Sequence, residues 1–259
     1  MLGTRHQMTP VLRPGADRPS PATAQAAQLQ YYGGPVISSV KVYTLFWSKQ
    51  VVGRHELNLF YRGITQSPYM DWLTEYNTPT QRIGRGKLAG SLVYTQQPTG
   101  NDIQDSEIQN KLAALIHAKH LPKNDGNMLI AVHLPPGVTV HMGGSVSCQD
   151  FCGYHGTFTL DGVMTYYAVL PDHGGPCASG CSAQEPDVIA QTTVTASHEL
   201  VEAVTNPGVG LATDMAAPLA WYDNTNGEIG DICAGQDAQV GPHHVQLLWS
   251  NANNACIAQ

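Results

Sequence analysis

His198 and Glu202 stand four residues apart in Ser197-His198-Glu199-Leu200-Val201-Glu202-Ala203, and Glu199 follows the histidine directly. On a helix, residues at i and i+4 share one face. An imidazole and a carboxylate placed this way reach one zinc ion at about 2.0–2.2 Å. Glu199 then lies beside the first ligand, placed to hold a zinc-bound water and take its proton. This is the chemistry of His-Glu-x-x-His on a metallopeptidase helix, with glutamate in place of the second histidine. A His-Glu-x-x-Glu string also arises by chance. Here it interrupts an apolar stripe (Ala190, Val194, Val201, Val204), where charged side chains need a reason.

A catalytic zinc takes three protein ligands and keeps one position open. The segment Gly227-Glu228-Ile229-Gly230-Asp231-Ile232-Cys233 offers Glu228 or Asp231 as the third ligand. The remaining carboxylate would orient His198 from behind; without a metal, both are turn or capping groups. His155, in Cys152-Gly153-Tyr154-His155-Gly156, is a further candidate, either as an alternative ligand or as a donor to a transition-state oxyanion. Tyr222 is a possible hydrogen-bond donor. Asp172, His173, His243 and His244 read as loop residues.

The elements that must position these groups follow from hydrophobic patterning. Pro186-Asp187 marks a helix start and Asn206-Pro207 its end, bounding a helix over Asp187–Thr205. The β-branched stretch from Val36 to Trp47 predicts a strand, as do Leu88–Thr95, Gly156–Leu160 and Thr165–Leu170. The unbroken apolar run Met128–Leu134 suits a central strand covered on both faces. Leu57–Tyr76 predicts two short helices broken near Ser67-Pro68. Asp105–His120 predicts another, capped by Asp105 or Ser106. Residues 171–186 form a Gly/Pro/Cys loop. Strand–helix alternation followed by a hairpin predicts an α/β or α+β domain with a mixed sheet, zincin-like in placing an active-site helix against it. Residues 1–30, rich in Pro, Ala, Gln and Thr, read as a disordered lead or propeptide remnant, and 31–259 as one domain.

The 259 residues carry 13 Lys plus Arg and a formal net charge of -7, with no basic run, which argues against a nucleic-acid partner. Charged residues make up only 13%, against roughly 25% in ordinary domains. Six cysteines, an even number, point to disulfides and an oxidising compartment, although two Cys-x3-Cys pairs also suit a structural zinc. Pairing Cys233 with Cys256 would tie down the C-terminal segment. Met1–Arg5 shows no signal-peptide hydrophobic core. No apolar stretch reaches 18 residues, so no membrane span is expected.

Several segments together resemble the phosphate-induced, or exordium-like, proteins of plants and their bacterial relatives. They are Tyr32-Gly33-Gly34-Pro35-Val36, Cys152–Gly156, Cys177 with Cys181, Ser197–Ala203, Thr205-Asn206-Pro207, Ala220-Trp221-Tyr222 and Glu228–Cys233, in family order. The resemblance implies a secreted protein with a zincin-like metal helix. From the metal-helix motif, the expectation is a secreted, monomeric zinc endopeptidase acting on a peptide or protein substrate. A non-catalytic secreted protein that binds cell-wall polymer or a partner, with a structural metal, is the alternative. A glycan hydrolase using Glu199 and Glu228 is a third reading.

Overall fold

The computed structural model describes residues 8–10, 27–96, 98, 100–181 and 184–258. Its centre is a six-stranded mixed sheet. The strand order is Met8–Pro10, Phe151–Leu160, Val163–Leu170, Met128–His133, Ser39–Phe46 and Gly84–Val93. The last four run parallel to one another, while the first two are antiparallel to their neighbours. The fold is α+β, with four α-helices among the described residues.

The pleat sorts side chains between two cores. From the strand Met128–His133, Leu129 and Ala131 face one side, and Ile130 and Val132 the other. Ile108 and Leu112 of the helix Asp105–His117 cover the second face. Phe60 and Ile64 of the helix Arg54–Ile64 join Ala196, Leu200 and Val204 of the helix Val188–Thr205 on the first. Cover on both faces explains why Met128–His133 is apolar throughout rather than alternating.

Val188–Thr205, the central helix, is buried from Ala190 to its end. Asp187 caps it, its side chain accepting from the Ile189 and Ala190 amides at 2.9 Å. One flank packs on Phe151–Leu160 and Val163–Leu170, and the strand His243–Gln246 runs along another. His243 and His244 therefore lie in a strand rather than a loop, and His244 pairs with Glu185.

The cap of Asp105–His117 differs from expectation. Gln104 stands at the N-cap and forms a reciprocal capping box with Glu107. Asp105 instead accepts from the buried hydroxyls of Tyr154 and Tyr167.

All six cysteines are paired: Cys148 with Cys177, Cys152 with Cys181, and Cys233 with Cys256. The first two bridges tie the start of Phe151–Leu160 to the loop that leads into the central helix. No helix is long and apolar enough to cross a membrane, among the described residues.

Order begins earlier than residue 31. Ala27 and Leu29 are buried, Gln30–Tyr31 pairs with Trp221–Tyr222, and Met8–Pro10 forms the outermost strand of the main sheet. The paired stretches are only two and three residues long, too short for a hydrophobic period to show in the sequence. The rest of 1–26 lies outside the described residues.

Candidate metal centre

The central helix carries eight polar residues between Thr192 and Thr205 that are buried. Four of its five hydroxyls are satisfied within the helix: Thr192, Thr193, Ser197 and Thr205 each donate to a carbonyl three or four residues back, while Thr195 bonds His173. His198, Glu199 and Glu202 have no such outlet, and all three are completely buried.

Around them gather His155 from the strand Phe151–Leu160, and Glu228 and Asp231 from the downstream turn. Nε2 of His198 lies 3.0 Å from Oε1 of Glu202 and 3.8 Å from Oδ1 of Asp231. These three residues offer ligand atoms all within 4.8 Å of one another, and His155, Glu199 and Glu202 do the same. Glu228 turns the other way. It accepts from Asn206 at 2.8 Å, and its second oxygen is 3.1 Å from Nε2 of His155. The turn therefore places Asp231 in one group with His198 and Glu202, while Glu228 neighbours Glu202 across His155. Asp231 is also the member nearest solvent, its side chain 14% exposed.

The downstream turn reaches the helix because residue 230 is glycine. A β-carbon there would stand 2.6 Å from Nδ1 of His198 and 2.9 Å from Oε1 of Glu202. The close approach lets the amides of Gly230 and Asp231 donate to Oε1 of Glu202, at 3.1 and 3.2 Å.

The group that orients His198 is neither carboxylate but Gln246. Its Nε2 donates to the Gly230 carbonyl at 2.7 Å, which fixes the amide so that Oε1 faces Nδ1 of His198 at 3.0 Å. An amide oxygen only accepts, so Nδ1 carries the proton and Nε2 presents its lone pair to the cluster. Gln246 is itself held by its backbone, its amide donating to Ser197 and its carbonyl accepting from Tyr69. Of the other singled-out residues, Tyr222 packs with Val209 and Leu219, and His173 is buried against Thr195.

Burial and mutual repulsion disfavour the charged forms of the cluster's carboxylates. Burial raises the carboxyls of Glu199, Glu202 and Glu228 well above their usual range, and neighbouring carboxylates add to the effect. Burial and then Glu202 push Asp231 up to about 8. Burial lowers His155 to about 4. Nε2 of His198, Oε2 of Glu199, Oε2 of Glu202 and Nδ1 of His155 are buried without a hydrogen-bond partner. A divalent ion would replace the missing partners and the protons together, so the nitrogen-and-oxygen donor set fits a metal.

The chain matches no known family model, curated protein or solved structure.

Proposed function

We propose that the protein is a secreted, zinc-dependent hydrolase of the zincin type, acting as an endopeptidase. One observation carries the reading: the lone pair of His198, its tautomer set by Gln246, is aimed at the space shared by Glu202 and Asp231, with Glu199 alongside. His198, Glu202 and Asp231 would hold the metal. When bound, zinc polarises a carbonyl and makes water acidic enough to attack at neutral pH.

Glu199, one residue from the first ligand, accepts the proton of the attacking water and delivers it to the leaving amine. His155 is hydrogen-bonded to Glu228 and stands 3.6 Å from Oε2 of Glu202, so it lines the same space as the Glu202 carboxylate. Three disulfides support an oxidising, extracellular setting.

Metal analysis of the purified chain, paired with peptide-library cleavage with and without a chelator, tests this reading. One zinc per chain is expected, lost in His198→Ala. Glu199→Gln should keep the metal and lose turnover by a factor of about 10² or more. A metal-free chain, or unchanged turnover in Glu199→Gln, overturns it. The burial of the whole cluster favours one rival: a non-catalytic protein with a structural metal. In that case zinc is bound, Glu199→Gln changes nothing, and no peptide is cut.

A further inference from the structure

Trp47 and Tyr94 each stand one residue past the C-terminal end of a parallel strand, Ser39–Phe46 and Gly84–Val93, and the two strands are neighbours. From Ser39–Phe46 the chain proceeds to a strand on one side, and from Met128–His133 to strands on the other. The Trp47 amide donates to the His133 carbonyl at 2.9 Å, between those two strand ends. In open sheets with parallel strands, ligands bind outside the carboxyl ends at such a switch point. A cavity of about 300 Å³ opens here, between Trp47 and the helix Asp105–His117. Trp47 belongs to the core on the sheet face away from the central helix, so the cavity is separate from the metal centre. Two of its groups lack their usual partners. Trp47 is only 3% exposed, and its indole N–H is buried without an acceptor, a rare state for a buried donor. Lys111, also in the lining, pairs with no carboxylate among the described residues. Its Nζ lies 5.1 Å from the centre of the Tyr94 ring, 6.0 Å from that of Trp47 and 3.5 Å from the Tyr94 hydroxyl. The ring faces hold the ammonium at the cavity without neutralising it.

We propose that this cavity binds a small organic monocarboxylate with a flat apolar body. The Lys111 ammonium and the Trp47 indole N–H meet the carboxylate, and Asn110 adds an amide donor. Ile103, Ala114 and the Trp47 ring take the apolar body. The volume is at the lower end of ligand sites, which limits that body to one or two rings. Glu107, also in the lining, accepts from the Gln104 amide at 2.8 Å, and its charge repels a second anionic group on the ligand. Other classes fit less well. A cationic ligand meets Lys111. A neutral sugar leaves the ammonium uncompensated and turns its hydroxyls toward Ile103 and Ala114.

Calorimetric titration of the full chain with 2-naphthoate tests the proposal. Saturable binding is expected with a Kd below about 1 mM. The neutral 2-naphthamide should bind at least about tenfold more weakly. Glucuronate keeps the carboxylate but replaces the apolar body with hydroxyls, and it should be weaker by a similar factor. Lys111→Met keeps the length of the side chain without its charge; it should lose about tenfold for naphthoate and little for naphthamide. Ala114 is exposed, so Ala114→Leu fills the cavity without touching the core and should abolish binding. The Trp47 indole N–H resonance, identified by its loss in Trp47→Phe, should shift as naphthoate is added. A chelator should leave the affinity unchanged. The proposal is overturned by absence of saturable binding, by equal affinity for naphthoate and naphthamide, or by tighter binding of glucuronate. Binding that survives in Ala114→Leu overturns it too, as does binding that a chelator removes, since the ligand would then sit on the metal.

Discussion

Oε1 of Gln246 lies 3.0 Å from Nδ1 of His198, across 48 residues of sequence, and makes a ready ligand of an otherwise ambiguous imidazole. Removing such an outer partner costs metal sites 10–100-fold in affinity as a rule. Gln246→Leu should weaken zinc by about that factor in a chelator competition. Gln246→Glu keeps an acceptor at Nδ1 but loses the donor to the Gly230 carbonyl, so it should recover only part of that loss.

The two acidic residues of the downstream turn should separate cleanly. Asp231→Asn removes a carboxylate from the His198–Glu202 group and should abolish stoichiometric zinc. Glu228→Gln leaves that group intact and keeps an acceptor for Asn206, so zinc should remain, with a loss of under about tenfold. Metal content after gel filtration reads both variants. The reverse pattern would make Glu228 the third ligand.

Acid stability offers a check away from the cluster. Burial lowers His133 to about 3, and its Nε2 lies 3.2 Å from the Tyr61 hydroxyl. The unfolded chain takes up this proton near pH 6.5, the folded chain only near pH 3. Within that window unfolding binds a proton, so stability falls as pH falls, by up to about 1.4 kcal/mol per pH unit. Above pH 6.5 the residue contributes no slope. Thermal melts of His133→Gln between pH 4 and 7 should show a shallower decline than the parent.

The Cys233–Cys256 bridge closes a loop of 23 residues and holds the end of the turn that carries Asp231. Chain-entropy accounting assigns such a loop about 3 kcal/mol. The double serine variant should lose about that much in denaturant melts. Its zinc affinity should drop as well, because Asp231 is two residues from Cys233.

Much of this architecture can be read from local pattern. Asp187 and Asn206-Pro207 bracket the central helix, and the apolar run at 128–133 marks a strand covered on both faces. The pairing of Cys233 with Cys256 was also within reach. His198, Glu199 and Glu202 announce themselves because ionisable groups interrupt an apolar helix. What escaped has no such mark. Gln246 is a neutral amide at the end of a four-residue strand, and its role exists only because Gly230 lets a turn approach. Met8–Pro10 pairs through its backbone, and Thr9 meets Glu199 across 190 residues. Side-chain periodicity carries no information about either contact.

The spread of the centre along the chain has a consequence for the order in which it can be built. A ribosome releases His155 first, then the helix with His198, Glu199 and Glu202, then Asp231, and Gln246 later still. Until the strand His243–Gln246 has docked along the helix, nothing holds the His198 ring in one tautomer. A nascent chain stalled short of that strand carries the motif without the centre. If the centre holds zinc as proposed, capture belongs to the finished fold, and partial chains would be poor competitors for the metal.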